Sequence, residues 1–156
     1  MTLAKVIIKP SSICDGLGVF AGEAIEKSSI ITIYGGKYMT RLEGQALDIK
    51  THLRTISSSY SAVDANSDAY SFTREEMIEK HVVGGFVNSS WNTDHKANCK
   101  YHVVVCETEG FPRVDLPSSL DCMDHIVVQA TKRIEKDHEC IIRYGHFYDT
   151  TLLQGV

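Results

Sequence analysis

Three stretches carry residue types that could do chemistry. In GLGVFA, Gly16 to Ala21, two glycines flank Leu17, and missing side chains let a ligand approach the backbone. In GGFVNSSWNTDHKANCKY, Gly84 to Tyr101, three asparagines and the sole tryptophan stand between hydrophobic segments. Three tyrosines sit where β-branched runs end or begin: Tyr34 closes IITIY, Tyr101 follows NCK, and Tyr144 closes ECIIRY. Taken one at a time, each has a plain reading as a turn, a surface loop or a strand tyrosine. The glycine turn lacks the third glycine and the following helix of a dinucleotide site, which rejects that assignment. The seven histidines form no helical metal pair, and the five cysteines form no C-x-x-C, so no metal is expected. Cys99 reads as packing, since a thiol enzyme needs a positioned histidine as well.

Short strands must hold these stretches. AKVIIK and IITIY are β-branched runs bounded by Pro10, Ser11 and Ser12 and by Gly35-Gly36, joined through the turn-rich CDGLG; GKYM starts another strand. From Thr40, TRLEGQALDI has helix formers behind a Thr N-cap. SFTREEMIEKH repeats that signal with Thr73, Glu75 and Glu76. HLRTISSSYSAVDA between them reads as strand and turn. After Gly85, CKYHVVVCE, HIVVQATKRI and ECIIRYG each have strand character, with RIEKDHE as a turn. The pattern predicts a mostly β (α+β) domain with a central helical insert.

The 156 residues, 43% of them hydrophobic, suffice for one packed core. With 16 Lys+Arg against 20 Asp+Glu the net charge is −4, which argues against direct binding to nucleic acid and for a basic peptide partner. An odd cysteine count suits a reducing compartment. No apolar run approaches the roughly 20 residues needed to cross a bilayer, and the N-terminus is not that of a signal peptide. The expectation is a soluble intracellular protein with no membrane partner.

In order along the chain, GLGVFA, IYGGK, FVNSS with NCKY, and RIEKDHECIIRYG resemble the SET domain of protein lysine methyltransferases, over roughly Lys5 to Tyr148. The resemblance implies a SET fold of short strands with a C-terminal pseudoknot, in which the last segment passes under the loop formed by the asparagine motif. It divides the chain into an N-terminal part (1–40), an insert (41–83), a C-terminal part with the knot (84–148) and a short tail (149–156). It implies S-adenosylmethionine as cofactor and a lysine of a protein, in this family commonly a histone, as substrate, and hence the nucleus. Gly16, Leu17, Gly18, Asn88 and Ser89 would hold the cofactor, together with Tyr144 and Phe147; Tyr34, Tyr101 and Tyr144 would be catalytic, and Tyr34, Tyr60 and Tyr101 would line the lysine path.

The chain also departs from the pattern. Ser89 stands where the family has histidine, Asn88 lies ten positions before Asn98 where a shorter spacing is common, and Ile142 and Arg143 replace an aromatic and an acidic residue. No cysteine cluster follows Tyr144, so the tail or a second copy in a homodimer would have to close the channel. A module that binds a peptide without turnover is the alternative reading.

Overall fold

The computed structural model describes residues 3–34, 37–40, 42, 45–46, 53–55, 61–64, 73–91, 93–104 and 125–143, and the architecture below refers to these. Strand β1 (Val6–Pro10) and β2 (Leu17–Ala21) pair antiparallel, Val6 opposite Ala21 and Pro10 opposite Leu17. GLGVFA is therefore mostly strand, where the sequence suggested a turn. Only Gly16 turns: its φ is 121°, and its carbonyl accepts from the Ser11 N–H at 2.8 Å. Glycine adopts that φ without the steric cost a side chain would add.

Strand β3 (Ile30–Ile33) is buried on both faces, with Ile31, Thr32 and Ile33 fully covered, so a polar residue there needs partners. Thr32 has them. Its Oγ1 donates to the His81 carbonyl at 2.9 Å and accepts from the Val83 N–H at 3.0 Å. The Ile33 N–H also reaches the His81 carbonyl, so residues 81–83 are stitched along β3.

Three strands, β4 (Lys37–Thr40), β5 (Leu53–Thr55) and β6 (Ser61–Asp64), form a small sheet in the order β4-β6-β5. The first helical candidate lies largely outside the described residues, apart from one helical-turn bond, Ala46 N–H to the Leu42 carbonyl at 3.1 Å. The second is α1 (Arg74–Glu79), whose Thr73 cap accepts from the Glu76 N–H while the Glu76 carboxylate accepts from the Thr73 N–H. This reciprocal pair is the capping box the sequence indicated. Helix α1 buries Met77 against the core.

A single 3-10 turn, Gly84–Phe86, leads into β7 (Asn88–Ser89), followed by β8 (Cys99–Val104), β9 (His125–Ala130) and β10 (Ile141–Ile142). The main sheet runs β3-β9-β8-β10-β7. Neighbours β3, β9 and β8 are antiparallel, but β10 is parallel to both β7 and β8 and lies between them. Because β7 and β8 are joined by the 90–98 connection, β10, the last described strand, occupies the gap that connection spans. This is the threaded arrangement expected of a knotted C-terminus, and connections of that kind are rare. The described part is mostly strand with few helices, packed around Val19, Ile31, Ile33, Val83, Val127 and Ile142.

Gly84 shows how tightly the parts meet. A Cβ there would lie 2.8 Å from the Tyr34 Cα and 2.9 Å from the Ile33 carbonyl oxygen, both backbone atoms that cannot rotate away. Gly84→Ala is expected to destabilise the fold by about 1–3 kcal/mol through overpacking. Urea denaturation checks this, and a variant as stable as the parent would mean that the turn does not press on β3.

Candidate functional site

The glycine stretch, the asparagine run and the end of the chain's described part converge on one carboxylate. Glu139 is only 5% exposed. Its oxygens accept from the Ser12 backbone N–H and Oγ, each at 2.7 Å, from Ser11 Oγ at 2.9 Å, and from Asn88 Nδ2 at 3.1 Å. The same Asn88 amide nitrogen donates to the Leu17 carbonyl at 2.9 Å. Gly18 lies against this junction: a Cβ would be 2.4 Å from Glu139 Oε2 and 3.2 Å from Asn88 Nδ2. A side chain at 18 would displace the carboxylate and the amide from the space they occupy, and with them the hydrogen bonds that hold them.

Burial, the largest single influence, pushes the Glu139 carboxyl up. The hydrogen bonds from Ser12, Asn88 and Ser11 together outweigh it and hold the group below the ordinary carboxylate value. It is thus an anion at neutral pH. The backbone presents Glu139 through its own pairing: Phe20 and Glu139 form a bridge, and the Cys140 N–H donates to the Val19 carbonyl at 2.7 Å. Ser89, beside Asn88, accepts from the Trp91 N–H at 3.1 Å and pairs with Ile142.

Asn98 secures the threaded strand. Its Nδ2 donates to the Glu139 carbonyl at 2.9 Å, and its Oδ1 accepts from the Ile141 N–H at 2.8 Å and from the Cys99 thiol at 3.0 Å. Its backbone N–H reaches the Ile141 carbonyl, while the Ser90 N–H reaches that of Ile142 at 2.7 Å. The polar run is therefore no ordinary surface loop: its side-chain amides replace ladder bonds where the sheet is interrupted by the crossing. The Cys99 thiol is pushed well up by its hydrogen bond with Cys140 and by burial, so it stays protonated and packs.

Two of the three tyrosines meet. Tyr34, 1% exposed at the end of β3, and the half-buried Tyr101 on β8 stand edge to face, ring centroids 5.7 Å apart at 87°. That contact follows from β9 lying between their strands, with the Tyr34 N–H donating to the Ile126 carbonyl and Tyr101 opposite Val128. Tyr60, Tyr144 and Phe147 lie outside the described residues. Among the described residues no group of three or more His, Cys, Asp or Glu is placed to hold a metal ion.

Leu17, Gly18 and Asn88 meet at the Glu139 junction, while Gly16 makes the turn before it and Ser89 pairs with Ile142 beside it. The sequence reading overlooked Glu139, Ser11 and Ser12, having taken the first as part of a turn and the others as strand punctuation. The signal available was faint: a single acidic residue immediately before the apolar run CII.

Glu139 also makes stability depend on acid. Its folded-state pKa lies below the unfolded value near 4.3. Its contribution is complete above that value and is lost as pH falls through the folded pKa. Glu139→Gln is expected to be less stable at pH 7 by about 1.5–3 kcal/mol, with the gap narrowing below about pH 4.3. Denaturant titrations at several pH values test this, and a gap that stays constant down to pH 3 would exclude the ionised carboxylate as its source.

The model of the SET-domain family matches residues 16–145. Among solved structures, the fold is similar to the crystal structure of a Plasmodium falciparum "putative histone methyltransferase", with a TM-score of 0.54 and 21% identity over 93% of this chain and 96% of that one. No curated protein matches the sequence.

Proposed function

The chain belongs to the SET-domain family, a family of methyltransferases, and from that premise we propose that it transfers a methyl group from S-adenosylmethionine to a lysine of a protein, with a histone as the first candidate substrate. The junction of Gly18, Asn88, the Leu17 carbonyl and the Glu139 carboxylate carries this reading. The residues would meet the cofactor as follows: the Glu139 carboxylate and the Asn88 amide nitrogen fill the side-chain position of Gly18, so Leu17 and Gly18 would offer backbone groups, and the Asn88 nitrogen is spent on Leu17 and Glu139. The Leu17 carbonyl and the Asn88 amide oxygen are acceptors of the kind an ammonium takes, and the buried Glu139 anion behind them adds charge that favours a cationic ligand. When bound, S-adenosylmethionine supplies an electrophilic methyl group.

Gly16, Leu17 and Gly18 would face the methionine end, Asn88 and Ser89 the amino group and adenine, and Tyr144 and Phe147 the remaining side. On the substrate side, Tyr34, Tyr60 and Tyr101 would line the lysine path. Tyrosine rings there exclude water and orient the nitrogen, and hydroxyls accept C–H···O contacts from a polarised methyl. The lysine must first lose its proton, which from a reference pKa of about 10.4 costs about 4–5 kcal/mol at pH 7. Desolvation beside a positive charge lowers that cost, so the proposal needs no dedicated general base. Tyr144 is the principal catalytic residue in this reading. A histone substrate implies the nucleus, and closure of the lysine channel by the tail or by a second copy completes the scheme.

One observation favours a second reading, a module that binds a peptide without turnover. Ser89 replaces the family's histidine and its hydroxyl is engaged by the Trp91 N–H.

The discriminating experiment incubates the purified chain with radiolabelled S-adenosylmethionine, core histones and a whole-cell extract, beside Tyr144→Phe and Asn88→Ala. Label on a histone lysine is expected. Tyr144→Phe should reduce it at least about tenfold, equivalent to about 1.4 kcal/mol of transition-state stabilisation, and Asn88→Ala should weaken cofactor binding in calorimetry by about tenfold or more. Label only on an extract protein discards the histone. Absence of both label and binding heat in a folded sample selects the module.

A further inference from the structure

Two departures from the family pattern, the long Asn88–Asn98 connection and Arg143, meet at one place. Trp91, Thr93, His95 and Lys96 from the connection, with Arg143 beyond β10, line a cavity of about 500 Å³, floored by Ser90. That volume lies within the range of small-ligand sites. The lining is chemically one-sided. Among the described residues that line it are two cations, Lys96 and Arg143, a histidine and no carboxylate, on a chain whose net charge is −4. Whole-chain charge, which argued against nucleic acid, averages this local excess away.

The wall is built rather than loose. Thr93 turns back on Ser90, its N–H and Oγ1 donating to the Ser90 carbonyl at 3.0 and 2.8 Å, and its Oγ1 accepts from the His95 N–H at 3.2 Å. Ser90 is itself pinned to the threaded strand through Ile142. On this frame stands Trp91, 43% exposed and one of few large hydrophobic side chains left in water among the described residues. An exposed indole beside cations is the combination that binds a base by stacking and its phosphate by charge.

We propose that this cavity binds a nucleotide, free or as one unit of a single strand, with the phosphate on Lys96 and Arg143 and the base on the Trp91 indole. S-adenosylmethionine, which carries net positive charge, does not suit this lining, so the site is separate from the cofactor junction and does not rest on the proposed activity. An acidic peptide would satisfy the cations but leave the indole unused. The neighbouring cavity shares Lys96 and adds Lys132 and Arg133. There Glu135, Asp137 and Glu139 offset the charge, and Arg133 is already paired with Glu26 and Glu135. The site therefore ends at the first cavity.

The sole tryptophan makes the test direct, because its fluorescence reports on the surroundings of Trp91, which lines this cavity. The intact chain is titrated with adenosine monophosphate, with a ten-residue single-stranded oligonucleotide, with inorganic phosphate and with an oligoglutamate peptide. Calorimetry is run in parallel on Lys96→Glu, Arg143→Glu and the control Lys5→Glu. Quenching by either nucleotide ligand, weakened tenfold or more by Lys96→Glu and Arg143→Glu but not by Lys5→Glu, supports the proposal. The stronger of the two ligands identifies the source. For the strand, log K should fall with log salt at a slope of about −0.7, as one neutralised phosphate predicts, and no steeper than about −1.4, the value for two. Nucleotide binding that S-adenosylmethionine displaces, binding indifferent to both charge reversals, preference for oligoglutamate, or no binding at all would each overturn it. Cofactor binding by the same samples, measured separately, keeps this result distinct from the methyl-transfer assay.

Discussion

The Glu139 carboxylate is the constraint around which the candidate site is arranged, because it draws together segments that lie far apart in the chain. Ser11 and Ser12 come from the end of β1, Asn88 from the start of the asparagine run, and Glu139 from the approach to the last strand. A carboxylate with so little exposure is tolerable only with several donors, and each donor it recruits fixes another segment. Gly18 is a consequence of the same crowding, since the carboxylate oxygen stands where its side chain would be. The backbone at Leu17 and Gly18 is thus shaped from behind by an anion.

The parallel seating of β10 depends on this anchor and on Asn98. Two residues of strand pairing, Ile141 and Ile142, make a weak ladder by themselves. Side-chain amide bonds from Asn98 to Glu139 and Ile141 extend it, and the Asn98 backbone adds a further bond. The polar composition of residues 88–98 is the chemical cost of crossing: where one segment passes beneath another, backbone groups lose their sheet partners and side chains must supply them. A wholly apolar connection could not hold the strand in that position.

Charge in this protein is best read locally. The chain is acidic overall, its candidate cofactor junction contains a buried anion, and a short distance along the sequence the 90–98 connection gathers basic side chains with an exposed indole. These arrangements would suit ligands of opposite sign. Summed over 156 residues they disappear into a net −4.

The sequence by itself determined what depends on neighbours along the chain. Thr73 and Glu76 specify the start of α1 because capping is completed within one turn, and the β-branched runs specify β3, β8 and β9 because burial favours them regardless of partner. The ordered motifs pointed to the family whose model matches residues 16–145. Tertiary structure decided the rest. GLGVFA reads locally as a glycine turn, and only pairing with β1 and with the segment before β10 makes Leu17–Ala21 a strand. The partnership of Glu139 with Ser11, Ser12 and Asn88 has no sequence signature, since separations of 128, 127 and 51 positions leave no periodicity to read. Arg143 and Lys96 likewise face one cavity only because the last described strand lies beneath the connection that carries the lysine. Hydrogen bonds and charges act through space, and the chain brings those groups within reach only after it has crossed itself.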